Sequence, residues 1–242
     1  MKQLHKLKYY ILTVVILTSC RSHDIISNDE NVFERAKQSD SLSFYFPASL
    51  NNETKRKNPS YNNFEQKWYS SALYSFKEPI LQNKKDLGTI YRILWLRSFH
   101  QPVCFTIKKV DQRYYLSTKM LDRQPSFYTN IILGNTNDKG EPISDTLEKE
   151  DRLAYIIFKE VLQLRESEGK YFENLLEKIT FWNLPSIDRS NMSTDGSQWV
   201  VEGYKNGKYN FVERQNGENG LRECGLYLLN ISSLKISSRD IY

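Results

Sequence analysis

Asn206-Gly207 stands between two stretches of alternating apolar and polar residues, SQWVVEGYK (197–205) and KYNFVERQ (208–215). This feature limits the possible folds of the chain more than any other. Both residues tolerate the positive φ that a two-residue type I′ turn requires, and that turn matches the twist of antiparallel strands. The predicted hairpin spans 197–215, and the turn fixes its register. Lys205 faces Lys208, Tyr204 faces Tyr209, Glu202 faces Phe211, Val200 faces Glu213 and Trp199 faces Arg214. The period of two then sorts the faces. Val200, Glu202, Tyr204, Tyr209, Phe211 and Glu213 share one, while Trp199, Val201, Val212 and Arg214 share the other.

Three more strands are expected upstream. TIYRILWLR (89–97) is apolar at nearly every position and reads as a strand buried on both faces. VCFTIKKV (103–110) and RYYLSTKML (113–121) flank a turn at Asp111-Gln112 and complete an antiparallel meander. Helical spacing appears elsewhere. Trp68, Ala72, Leu73 and Phe76 share a face, and Glu78-Pro79 ends that helix. Asp145 with Glu148 gives a helix start, and Leu153, Ile156, Ile157, Val161 and Leu164 continue on one face. Gly169 is expected to break that pattern. Phe172, Leu175, Leu176 and Ile179 form another amphipathic helix. Leu221–Leu234 reads as a closing helix, with Cys224, Leu228 and Ile231 inward. The predicted fold is α+β: an antiparallel sheet of about five strands, with helices packed mainly on one face.

The N-terminus reads as an address. MKQLHKLK is basic, Tyr9–Leu17 is an apolar run, and Thr18-Ser19-Cys20 follows. The run is far shorter than the ~20 apolar residues of a membrane-spanning helix and fits a secretory signal. Leu17-Thr18-Ser19-Cys20 resembles the lipobox of bacterial lipoproteins. That resemblance implies cleavage before Cys20, acylation of its thiol, and attachment to the extracytoplasmic face of a cell-envelope membrane. Two or more acyl chains give a stable anchor. The expected organisation is a signal peptide at 1–19, a polar tether at 20–62 rich in Asn, Ser and charge, and one α+β domain at 63–242.

Charge narrows the partners. The formal charge is +5, and Lys2, Lys6 and Lys8 lie in the predicted signal; without them the excess of bases over the 29 acids falls to +2. This gives no general drive toward nucleic acid. KRK at 55–57 reads as a solvated loop. NTNDKGE (135–141) has Asn135, Asn137 and Lys139 where a calcium loop needs carboxylates, so it reads as a turn. There is no P-loop, GxSxG or CxxC, and no cofactor is expected. Beyond the predicted signal, only His23 and His100 remain as histidines. Cys104 and Cys224 sit in apolar settings and read as buried thiols, with a disulfide between them as the alternative.

The candidate site is the hairpin. Trp199 and Arg214 are expected to form a cross-strand cation–π pair. Glu202 and Glu213 are diagonal neighbours at a nominal ~7–8 Å, a spacing found in inverting glycosidases. They are the candidate catalytic residues of an envelope-polymer hydrolase. The candidate binding residues are Trp199, Glu202, Tyr209, Arg214 and Arg92. A buried ion pair among Glu202, Arg214, Arg92 and Glu78 is the plain structural expectation.

FWNLP (181–185), DGSQW (195–199), EGYKNGKY (202–209) and the following Arg214 resemble the C-terminal pattern of an uncharacterised bacterial protein family. YSSALYSFKEPIL and YRILWLRSFHQP resemble it upstream, so the likeness covers about residues 68–232. It implies an α+β domain and no established activity. Asn210 stands where that pattern has a histidine. The function expected is a non-catalytic envelope lipoprotein that binds an envelope protein or glycan. The polymer hydrolase and an immunity or inhibitor lipoprotein are the alternatives.

Overall fold

The computed structural model describes residues 45–47, 64–82, 87–125, 154–188 and 196–242. Six strands form one open antiparallel sheet. They are β1 (Thr89–Arg97), β2 (Val103–Val110), β3 (Arg113–Leu121), β4 (Ile156–Leu164), β5 (Ser197–Lys205) and β6 (Lys208–Gln215). The order across the sheet is β4-β3-β2-β1-β5-β6. β1 is therefore central, which explains its nearly continuous apolar character: residues 90–97 are all buried. The 206–207 turn has Asn206 at φ 53° and Gly207 at φ 76°. The β5–β6 register pairs Lys205 with Lys208, Tyr204 with Tyr209, Glu202 with Phe211, Val200 with Glu213 and Trp199 with Arg214, as the turn dictates.

Among the described residues, three α-helices flank the sheet: α1 (Phe64–Ser75), α2 (Glu166–Lys178) and α3 (Leu221–Ile231). α2 and α3 share one face with the core of Ile93, Trp95, Phe105, Leu116, Phe172, Trp199, Val201, Val212 and Leu228. α1 takes the opposite face, where Trp68, Tyr69, Leu73 and Phe76 pack with Tyr45, Phe46, Leu94, Leu96, Val200 and Phe211. The fold is α+β, with six strands where about five were expected. Tyr45 and Phe46 pack on the same face, and Gln66 Nε2 donates to the Phe46 carbonyl at 2.9 Å.

One element differs in kind from its sequence reading. Residues 156–164 were expected in a helix and form β4. The strand pairs with β3 along its length, through a bulge between Met120 and Leu121. Phe158, Leu162 and Leu164 turn into the core. Glu160 lies in phase with them and is buried, and its carboxylate accepts the Ser233 N–H at 3.0 Å. A charged residue at an inward position hid the alternation. Gly169 also departs from expectation, lying inside α2 instead of breaking a helix. A Cβ there would stand 2.1 Å from Tyr114 Cγ, so the bare backbone admits the tyrosine ring.

The signal, Cys20, most of the tether, the 135–141 turn, the Asp145 helix start, Leu153 and Asp195 lie outside the described residues. No helix among the described residues is long and apolar enough to cross a membrane.

Candidate functional site

Three polar residues of the α1 face lie in one row across the sheet. β1 places Arg92 opposite Thr106 on β2 and opposite Glu202 on β5. The period of two points all three side chains to the α1 face. Glu78 comes from the chain leaving α1. Its N–H donates to the Leu73 carbonyl at 3.0 Å, and this turn brings the carboxylate down onto the sheet.

Four charges meet there: Arg92, Glu202, Glu78 and Lys119. Arg92 Nε donates to Glu202 Oε2 at 2.8 Å, and Arg92 Nη2 donates to the same oxygen. Tyr209 donates its hydroxyl to Glu202 Oε1 at 2.8 Å. Arg92 Nη1 donates to the Pro79 carbonyl at 2.7 Å and lies 3.6 Å from Glu78 Oε2. Lys119 Nζ donates to Glu78 Oε1 at 2.6 Å and to the Phe76 carbonyl at 2.9 Å. Thr106 completes the shell of Glu78 at 3.1 Å. Tyr45 donates to the Glu78 carbonyl at 2.9 Å, with its ring 6.0 Å from the Arg92 guanidinium.

The group is closed to solvent, with Arg92 0% and Glu202 1% exposed. Two acids and two bases leave it neutral, the condition under which buried charge is tolerable. Burial pushes the Glu78 carboxyl up, but Lys119 and Arg92 overcome it and hold the group below the usual carboxylate range. Burial pushes Glu202 up, while Arg92 and the Tyr209 hydroxyl pull it back only in part. Burial and the Glu202 charge push the Tyr209 hydroxyl well up.

The second candidate carboxylate is held separately. Glu213 is 1% exposed and accepts Gln198 Nε2, which also donates to the Tyr69 hydroxyl at 3.2 Å. Glu202 and Glu213 therefore share a face of the hairpin but have different fixed partners.

Trp199 and Arg214 oppose each other on neighbouring strands, yet the expected cation–π pair does not form. Trp199 stacks on Trp95, with ring centroids 4.6 Å apart and planes at 21°. Arg214 instead donates to the carbonyls of Pro185 at 2.8 Å, Ser186 at 3.4 Å and Glu213 at 2.6 Å. The segment lying along the β6 edge presents the Pro185 and Ser186 carbonyls, and the guanidinium fork fits a run of carbonyls better than a ring already stacked. Nor is Arg214 the ion-pair partner of Glu202; that place belongs to Arg92.

These contacts explain much of the FWNLP–EGYKNGKY–ER pattern. The segment after α2, with a short 3₁₀ turn at Phe181–Asn183, lies along the β6 edge. Glu213 N–H donates to the Ser186 carbonyl at 2.7 Å, and Asn210 Nδ2 donates to the Phe181 carbonyl at 2.7 Å. A Cβ on Gly203 would stand 2.7 Å from the Phe181 ring. Phe181, Gly203, Asn210 and Arg214 thus form a cap that covers one edge of the sheet.

Sequence reasoning missed Lys119, Thr106 and Tyr45 in the buried group. Lys119 carried a signal: it falls in phase with Tyr115 and Ser117 on the third strand of the expected meander. Cys104 and Cys224 are free and belong to the α1 face and the α2–α3 face, respectively. Burial pushes the Cys224 thiol up to about 12 and the Cys104 thiol further. Among the described residues, no group of three or more His, Cys, Asp or Glu is arranged to hold a metal ion. No protein-family model matches this chain, and neither do the curated proteins or the solved structures. The functional reading rests on the residues themselves.

Proposed function

We propose that the chain is an envelope lipoprotein, acylated at Cys20, whose α+β domain is a non-catalytic binding or structural module. The anchor reading is carried by the basic start, the apolar run and Leu17-Thr18-Ser19-Cys20. Saturation of the candidate carboxylates supports the non-catalytic reading. Glu202 has both oxygens engaged, by Arg92 and Tyr209. A general acid or base must reach the proton it transfers, and both candidate glutamates are 1% exposed. Burial does push the Glu202 carboxyl up, as a general acid requires. The hydrolase is the second reading for that reason.

The test is metabolic labelling with palmitate and membrane fractionation of the wild type and Cys20→Ala. Label and membrane partition in the wild type, both lost in the variant, are expected. Unchanged partition without label would contradict the anchor. Release of soluble fragments from purified envelope polymer, abolished by Glu202→Gln in a folded protein, would favour the hydrolase.

A further inference from the structure

Among the described residues, four large apolar side chains are conspicuously exposed, and three of them lie at one end of the sheet: Phe99 (72%), Tyr155 (61%) and Ile157 (55%). Phe99 is in the β1–β2 connection. Tyr155 and Ile157 are at the start of β4, where Ile156 pairs with Leu121 at the end of β3. The chain after β3 ties the two places together. Gln124 Nε2 donates to the Arg97 carbonyl and, at 3.1 Å, to the His100 carbonyl. Asp122 N–H donates to the Tyr155 carbonyl at 2.8 Å, and its carboxylate accepts the Tyr155 N–H at 2.7 Å.

This rim is held firmly. The Phe99 N–H donates to the Tyr242 hydroxyl at 3.2 Å, and Ser98 donates twice to the Gly196 carbonyl, from its N–H at 3.0 Å and its hydroxyl at 2.8 Å. Arg123 lies 5.9 Å from the Tyr155 ring and 3.4 Å from Asp122 Oδ2. Aromatic rings beside a cation suit a membrane interface, where rings sit at headgroup level and guanidinium groups meet phosphates.

The position of the chain start selects the occupant. Trp68, in the first half of α1, donates to Gln124 Oε1 at 3.4 Å, so that half of α1 lies over the same end. Tyr45 and Phe46 run beside it, bonded to Ser70 at 3.0 Å and Gln66 at 2.9 Å. Only 24 residues separate Tyr45 from Cys20, and a chain of that length reaches at most roughly 80 Å. An anchor there confines the domain near the bilayer and raises the effective concentration of any weak contact.

We infer that this end of the sheet rests on the bilayer, with Phe99, Tyr155 and Ile157 inserted at the boundary between headgroups and acyl chains. The inference rests on the anchor reading given above. It is tested with the full lipidated protein in vesicles whose acyl chains carry bromine, a contact quencher of tryptophan. Phe99→Trp and Tyr155→Trp report the rim. Tyr171→Trp, at the fourth exposed site on the opposite helical face, is the reference. Fluorescence added at 99 or 155 is expected to be quenched at least two-fold more than that added at 171. A protein that floats with the vesicles but shows equal quenching at all three sites overturns the docking alone. A chain that carries no acyl group and does not float removes the anchor reading, and the docking with it.

Discussion

Glu202→Gln should cost this protein about 3 kcal/mol. The amide is nearly isosteric and keeps one oxygen for Arg92, but it removes one of the two negative charges that balance Arg92 and Lys119. The buried group would then carry a net positive charge with Arg92 0% exposed. Breaking a buried pair from one side costs ~3–5 kcal/mol, and a hydrogen bond to a charged group contributes ~1.5–3 kcal/mol. The retained acceptor puts the cost at the low end. With a urea slope of ~2 kcal/mol per molar, the unfolding midpoint falls by ~1.5 M. The double variant Arg92→Met, Glu202→Leu should lose less than Glu202→Gln alone, because Glu78 and Lys119 still balance and the removed pair leaves no unmatched charge. Urea unfolding followed by tryptophan fluorescence reads both. A midpoint shift below ~0.3 M for Glu202→Gln, or a double variant worse than the single, would refute the reasoning.

Other consequences are as specific. Gly225→Ala places a Cβ 2.0 Å from Trp199 Cζ3, so it should cost ~1–3 kcal/mol and alter the near-UV circular dichroism of the Trp95–Trp199 stack. Gly207→Ala meets nothing within 4 Å but sits at φ 76°, so its cost is backbone strain alone, ~1–2 kcal/mol, with that spectrum unchanged. Glu78 has a depressed folded pKa. Its stabilisation is therefore full above the ordinary glutamate value of ~4.3 and is lost as pH falls through the lower folded value. Glu202 is displaced the other way and acts above ~4.3, where rising pH removes its proton from the folded state at a cost. Glu78→Gln should thus flatten the loss of stability as pH falls below ~4.3, measured as urea midpoints against pH.

The strands that share a meander or hairpin were legible because their signals are local. Asn206-Gly207 fixes a turn, the turn fixes a register, and the register assigns every side chain of 197–215 to a face. β1 was legible from its nearly continuous apolar character, which suits a strand buried on both faces. β4 was not, because the buried Glu160 needs Ser233, more than seventy positions away, to satisfy it. The same limit governed the site. Hairpin register put Glu202 and Arg214 on opposite faces but could not name the partner of either. Arg92 becomes the neighbour of Glu202 only through β1–β5 pairing, which joins segments 110 residues apart. Lys119 enters only because β2 lies between β1 and β3. The FWNLP–EGYKNGKY–ER pattern was visible as a pattern, but its role as an edge cap needed the β6 edge to be known.

The most direct test of the proposed function is the mass of the N-terminal peptide from protein purified out of the producing cell's membranes. The account predicts a peptide beginning at Cys20, heavier than its sequence by a diacylglyceryl group and, where present, an amide-linked acyl chain. A peptide beginning at Met1 or at any residue other than Cys20, or one beginning at Cys20 with a free thiol, would contradict it.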